Sequence, residues 1–220
     1  MYGPPVDLSF KDLNNVTGAM SEVSRIALRP LRTNSKNKYL SQALRLSNNN
    51  ITHLIGLEFM LSHFLAEPSM LGWLDLSFNK LTSIECVLCE LKELRVLYLH
   101  GNDIWNLNDV NKLGGLSHLH TITLHGNAIE NLKGYRSHVI LALPHLKRMD
   151  FSAVTRQEKA LANIWCKTFK SAKKEEKYVS TDNKISDKTP FRPFFKLCYK
   201  VSLNEYLRVR MAAALSGMAL

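Results

Sequence analysis

A chain of 220 residues has room for one ordinary domain plus extensions, and its 45% apolar content suits a folded core. No run approaches the ~18 apolar residues of a membrane-spanning helix. The first residues, Met1 to Asp7, lack the basic start and apolar stretch of a secretory signal, so a cytoplasmic protein is the expectation. The net charge of +10 is unevenly placed: residues 155–220 carry 14 Lys/Arg against 6 Asp/Glu, while residues 1–154 carry 15 against 13. Such a basic tail is either a solvated extension or a contact for nucleic acid, tubulin's acidic surface or anionic lipid. Of the four cysteines, Cys86 and Cys89 form one isolated C-x-x-C, and Cys166 and Cys198 stand far off. That spacing indicates neither a zinc site nor a disulfide framework, and a reduced pair on an outer surface is expected.

Residues 1–40 are broken by Pro4-Pro5, Asn14-Asn15 and Gly18. A short helical stretch over Met20–Leu28 is predicted to end before Pro30, and Leu31 to Lys38 reads as a polar, basic loop. Val6, Phe10, Leu13 and Ile26 are available to cover the open end of the core that follows.

From residue 41 a pattern recurs. Leu71-x-x-Leu74-x-Leu76-x-x-Asn79-x-Leu81 matches the leucine-rich-repeat segment position for position. Equivalent segments begin at Ala43, Leu94 and Leu119, and a degenerate fifth, Leu146 to Phe151, lacks the asparagine. From Leu44 to Leu74, Leu97, Ile122 and Met149 the intervals are 30, 23, 25 and 27 residues. The long first interval contains Leu57 to Ala66, which suits a full helix ended by Pro68; Cys86–Leu91 and Val110–Leu116 suit short helices or 3₁₀ turns. The predicted fold is α/β: a leucine-rich-repeat solenoid, a right-handed β-α superhelix with a parallel concave sheet and a helical or 3₁₀ convex side. Residues 1–40 form an N-terminal extension and cap, 41–154 the repeats with a C-terminal cap over about 134–154, and 155–220 a basic extension. In that extension Leu161, Ile164 and Trp165 are available to dock on the cap. The final stretch, 191–220, is left open between docking, partner contact and an unstructured end.

Strand alternation sends Leu74 and Leu76 inward and Trp73 and Asp75 outward. Asn49, Asn79, Asn102 and Asn127 fall where a side-chain amide can satisfy buried backbone groups at the turn off each strand. Two outward columns follow from the register: Ala43, Trp73, Val96, Thr121, Arg148, and Arg45, Asp75, Tyr98, Thr123, Asp150. His100 and His125 share a third position and should stack about 5 Å apart. Ser47, Ser77 and Ser152 fill the rest of that column, so no third metal ligand is present, and the imidazoles are expected to bond loop carbonyls.

Gly134 to Phe151 carries Y-R-x-x-V-x-x-x-L-P-x-L-x-x-x-D, from Tyr135 to Asp150. This resembles the C-terminal cap of intracellular leucine-rich-repeat proteins such as the spliceosomal U2 A-prime protein, the SDS-type regulator of protein phosphatase 1 and the leucine-rich light chain of axonemal dynein. The resemblance implies a helix over Tyr135–Leu143 that closes the core. Pieces outside the repeat consensus, among them Pro4-Pro5-x-Asp7-x-Ser9-Phe10, Leu28-Arg29-Pro30-Leu31 and Val110-Asn111-Lys112-Leu113, are similar to a narrower family of small cytoplasmic repeat proteins with no assigned catalysis. That kinship implies a setting of motile cilia or sensory hair cells.

No phosphate-binding glycine loop or nucleophile motif is present, so no catalysis, cofactor or metal is expected. The expected function is a non-catalytic adaptor or scaffold, monomeric when isolated, that holds a protein partner on the concave face. Its candidate residues are Arg45, Trp73, Asp75, Val96, Tyr98, His100, Thr121, Thr123 and His125. Trp73 beside Tyr98 is the predicted anchor, because aromatics and arginine dominate such sites. The competing reading packs Trp73 beneath the N-terminal segment. Alternatives are an RNA-processing partner like the U2 A-prime protein, although the tail has few aromatics among its lysines and nucleic acid is not expected, and a tubulin-binding component of a microtubule or axonemal assembly.

Overall fold

The computed structural model describes residues 3–26 and 29–164. The Lys-rich segment 167–177, the apolar end 191–220 and Trp165 lie outside the described residues.

Seven short strands form one sheet in chain order: β1 (Val6–Asp7), β2 (Ala43–Arg45), β3 (Trp73–Asp75), β4 (Val96–Tyr98), β5 (Thr121–Thr123), β6 (Arg148–Met149) and β7 (Ser152–Ala153). Pairing is parallel from β1 to β6 and antiparallel between β6 and β7. The register joins Leu44, Leu74, Leu97, Ile122 and Met149 in one inward row, each fully buried. A fully buried leucine contributes about 1.5–3 kcal/mol, so these rows hold the solenoid together. The long first interval forms helix α1 (Leu57–Phe64), which buries Leu57, Met60, Leu61 and Phe64. The next two are filled by the 3₁₀ turns Cys86–Glu90 and Leu107–Gly115. Helix α2 (Tyr135–Ala142) closes the C-terminal end with Tyr135, Val139 and Ile140.

The asparagines form a ladder. Asn102 Nδ2 donates to the carbonyls of Leu76 and Leu99, both at 3.0 Å, and its Oδ1 accepts from the Leu81 N–H. Asn79 and Asn127 repeat this arrangement one rung to either side. Each amide therefore satisfies three backbone groups that water cannot reach.

Asn49 makes the same contacts toward the N-terminus: it donates to Leu8 and Leu46 and accepts from the N–H groups of Lys11 and Leu13. Residues 6–13 are thus a further rung, with Val6, Leu8 and Leu13 buried in the repeat positions and Lys11 opposite Asn49. Val6 and Leu13 cover the core end as expected, joined by Val16 and Ala19. Phe10 and Ile26 do not; both are exposed. Phe10 sits in left-handed backbone at the turn off the strand, which points its ring away from the core row. The predicted helix over Met20–Leu28 is replaced by a 3₁₀ turn at Thr17–Ser21. Past it, the N–H of Arg25 donates to Asp7 and that of Asp7 to Ser24 Oγ, so this segment runs along the outer edge of β1.

At the other end, residues 156–164 are helical, with Ala162 buried and Leu161 and Ile164 exposed. This reverses the expected docking face. The helix is fixed instead by Arg136, which donates to Glu158 at 2.7 Å and to the carbonyls of Met149 and Ala153. Arg136 and the Thr155 N–H together hold the Glu158 carboxyl down at about 2.

Candidate protein-interaction face

The two outward columns fall in the predicted register through Arg148 in the first and Thr123 in the second; Asp150, expected beside Thr123, lies past the last pair in left-handed backbone. The candidate residues differ in access. Asp75, Val96, His100, Thr121 and Thr123 are buried, Thr123 completely, whereas Arg45, Trp73, Tyr98 and His125 keep part of their surface. Concave curvature crowds side chains on this face, so short ones sink between larger neighbours. The buried five shape the face from beneath and do not offer surface to a partner.

Arg45 and Asp75 belong to an internal bridge. Arg45 reaches Asp7 on one side at 3.4 Å and Asp75 on the other at 3.5 Å. Each aspartate turns its second oxygen to the serine two residues on, Asp7 to Ser9 at 2.6 Å and Asp75 to Ser77 at 2.5 Å. The guanidinium also lies 5.5 Å from the Trp73 ring centroid. One arginine so ties β1, β2 and β3 together and supports Trp73 from the side. The N-terminal segment takes its hydrogen bonds from β2, with the N–H groups of Leu8 and Phe10 donating to Arg45 and Ser47. It extends the sheet at its edge, and Trp73 is half-buried, keeping part of its surface.

An aromatic group runs from Trp73 to the C-terminal edge of the strands. Trp73 meets Tyr98 edge-on at 5.6 Å. His100 and His125 stack in parallel at 4.7 Å, as their shared position predicted. Their partners differ from expectation: His100 Nδ1 lies 2.8 Å from Thr123 Oγ1, and His125 Nδ1 lies 3.3 Å from Asp150 Oδ1. No loop carbonyl is used, because the neighbouring column supplies a hydroxyl and a carboxylate at closer reach. Burial, reinforced by the adjacent His125, pushes the His100 pKa down, which favours the neutral form of that imidazole. Among the described residues, no group of three or more His, Cys, Asp or Glu gathers to hold a metal.

Two phenylalanines complete the group, and neither was a candidate from the sequence. Phe78 is 53% exposed and packs edge-on to His100 at 5.0 Å. Phe151 is 65% exposed and sits 5.5–5.8 Å from Tyr98, His100 and His125. Both lie in left-handed backbone, φ 52° and 61°, which is costly for a bulky side chain. For Phe78 the neighbouring rung explains the placement. A Cβ on Gly101 would stand 2.6 Å from the Phe78 ring, so only glycine lets that ring lie flat over the next turn.

Phe151 owes its place to a reversal. Its repeat position would be an inward leucine, but Asp150 and Phe151 both take positive φ between β6 and β7. Positive φ at both central residues of a two-residue loop is the type I′ hairpin geometry. The turn lifts the Phe151 ring onto the concave face. It also leaves β5 without a neighbour beyond Ile122, and the Asp150 side chain fills in, accepting from the N–H groups of Leu124 at 2.7 Å and His125 at 3.0 Å. Its other oxygen accepts from the Tyr135 hydroxyl at 2.9 Å. Burial and that carboxylate push the Tyr135 pKa well up, so the hydroxyl stays a donor.

The outer-surface cysteines are both free thiols, Cys86 exposed and Cys89 half-buried. Burial raises the Cys89 pKa, and its thiol donates to the Lys112 carbonyl at 3.1 Å. Among the described residues no helix is long and apolar enough to cross a membrane.

The parallel ladder, asparagine rungs and closing cap define a leucine-rich-repeat protein, and the leucine-rich-repeat family model matches residues 37–180. Leucine-rich repeat-containing protein 51 of Bos taurus is 44% identical over 162 residues, 74% of this chain and 84% of that one, and the Homo sapiens protein is 42% identical over the same shares. The chain belongs to the family of leucine-rich repeat-containing protein 51. Human leucine-rich repeat-containing protein 23 is more distant, 29% identical over 51% of this chain and 33% of its own. Among solved structures, that of the Drosophila melanogaster SNF/U2A′ complex has a chain of the same fold, with TM-score 0.50 and 23% identity over 70% of this chain and 83% of that one.

Proposed function

We propose that the chain is a non-catalytic adaptor that seats a protein segment on the aromatic group of its concave face, with Trp73, Tyr98, Phe78 and Phe151 as anchors. Leucine-rich repeats are in general a protein-interaction fold, and the family match supports that broad role. One observation carries the narrower reading. Two phenylalanines are held more than half exposed, in costly backbone, around a stacked pair of imidazoles. Folding alone favours small polar residues or glycine at such positions, while large rigid aromatics bury much area on contact at modest entropic cost. Arg45 and His125 border the group, and the buried Asp75, Val96, His100, Thr121 and Thr123 hold it in place.

The setting we propose, from family resemblance, is a cytoplasmic ciliary or axonemal assembly. Affinity purification from ciliated cells should compare the wild type with Trp73→Ala/Tyr98→Ala and with Phe78→Asn/Phe151→Asn. Loss of the same proteins from both variants, each still folded by circular dichroism, is the expected outcome. Identical sets of retained proteins would refute the concave-face reading.

A further inference from the structure

The opposite edge of the same strands has different chemistry. Arg95, His120 and Lys147 each immediately precede a strand, β4, β5 and β6. They are bonded rung to rung: His120 N–H donates to the Arg95 carbonyl at 3.0 Å and Lys147 N–H to the His120 carbonyl at 2.8 Å. Neighbouring rungs are about 4.8 Å apart, so three basic residues lie side by side. They line an open cleft of about 510 Å³ with Ser117, His118 and His145. Glu93 is the one carboxylate paired with cleft residues in the described structure, and its contacts are loose, 3.7 Å to Arg95 and 3.9 Å to His118. In the two preceding rungs the same position holds Gly72 and Gln42, so the fold does not require a cation there. Arg95 and Lys147 stand on one wall with only the loosely held Glu93 carboxylate to offset them among the described residues, so the occupant that complements the cleft in charge is an anion.

We infer that this cleft is a binding site for an acidic peptide segment, whose carboxylates sit among Arg95, His118, His120, His145 and Lys147. A peptide fits better than a nucleic acid. Nucleic-acid sites track several phosphates and stack bases on aromatics, whereas this cleft has two permanent cations on its wall and no aromatic beyond its histidines. His120 adds proton linkage. It faces Arg95, Lys147 and Arg148, and its Nδ1 lies 2.9 Å from Thr121 Oγ1. Burial first, then those three cations, lower its pKa. A seated carboxylate offsets the cations, so binding takes up a proton.

The test is fluorescence anisotropy of labelled octaglutamate with the full chain at physiological ionic strength, beside octaglutamine, inorganic phosphate as competitor and a single-stranded RNA of equal charge. Arg95→Glu/Lys147→Glu should weaken octaglutamate binding on the order of tenfold or more, and the milder Arg95→Gln/Lys147→Gln should weaken it less with the thermal midpoint unchanged. Neutralising the tail by Lys173→Gln/Lys174→Gln/Lys177→Gln should leave most of the affinity. Affinity should rise several-fold from pH 8 to pH 6, and His120→Gln should flatten that rise. The inference is overturned if the cleft variants bind as the wild type does, if the tail variant alone loses binding, if octaglutamine binds equally well, or if RNA or phosphate binds in preference.

Discussion

The two edges of the concave sheet share one backbone ladder and differ in almost everything else. At the C-terminal edge the chain places aromatic rings on left-handed residues, stacks two imidazoles and anchors the last turn with the Asp150 carboxylate. At the N-terminal edge, Arg95 and Lys147 stand exposed in an open cleft with one loosely held carboxylate nearby. The first edge is aromatic, built through many specific contacts; the second is solvated and cationic, built through almost none. A leucine-rich solenoid repeats its core from rung to rung, so the residues flanking each strand are free to diverge. Function on such a scaffold is written at the edges and the outward columns, while the leucines and asparagines keep the ladder in register.

If that contrast holds, substitutions at the two edges should differ in their effect on stability. Asp150→Ala leaves the Leu124 and His125 N–H groups and the Tyr135 hydroxyl without their acceptor. It should cost about 3 kcal/mol or more, read as a lower denaturant midpoint at unchanged slope. Lys147→Ala, at the other edge, should stay within about 0.5 kcal/mol. Gly101→Ala comes next. It combines strained backbone, φ 67°, with a clash against the Phe78 ring, and should cost about 1–3 kcal/mol. Phe78→Asn in the same chain should recover part of that loss, since the ring is what the new methyl strikes.

The smallest effect is pH dependence. His100 and His120 both have folded-state pKa values below their ordinary one. A depressed histidine pKa means that the unfolded chain binds the proton first. Stability should therefore be full above about pH 6.5 and fall as pH drops through that value toward the folded-state pKa. Replacing His100 with Gln should reduce that slope. By NMR, octaglutamate should move the His120 titration upward and leave His100 where it is, which separates the edges residue by residue.

Much of the fold was legible in the sequence because buried leucines and a ladder asparagine recur at strict spacing, and the cap pattern from Tyr135 to Asp150 marks where the ladder ends. The rung at residues 6–13 was not legible. Its strand is two residues long, and Lys11 stands where the asparagine belongs, so the pairing of Val6 with Leu44 and the reach of Asn49 to residues 8–13 disclose it. The outward columns were readable from register alone, and so was the His100/His125 stack. Burial within the columns was not: Thr123 and Asp75 alternate outward yet are enclosed by curvature and by their own hydrogen bonds. Phe151 was hidden for a different reason. Its position matches an inward leucine, and Asp-Phe lacks the glycine that usually marks a tight hairpin. The basic edge needed one more column, the residue just before each strand, and its charges were masked by the near-neutral total of residues 1–154.

The central claim is that the aromatic concave edge is where a partner sits, and it can be tested against an equally exposed ring elsewhere. Phe59 on α1 is 76% exposed, on the outer side of the solenoid. A benzoylphenylalanine photocrosslinker placed singly at position 151 or at position 59, in the full chain in ciliated cells, samples both surfaces with the same chemistry. A discrete crosslinked protein is expected from position 151, lost on Trp73→Ala/Tyr98→Ala, and none from position 59. Crosslinks from position 59 alone, or the same protein from both positions, would contradict it.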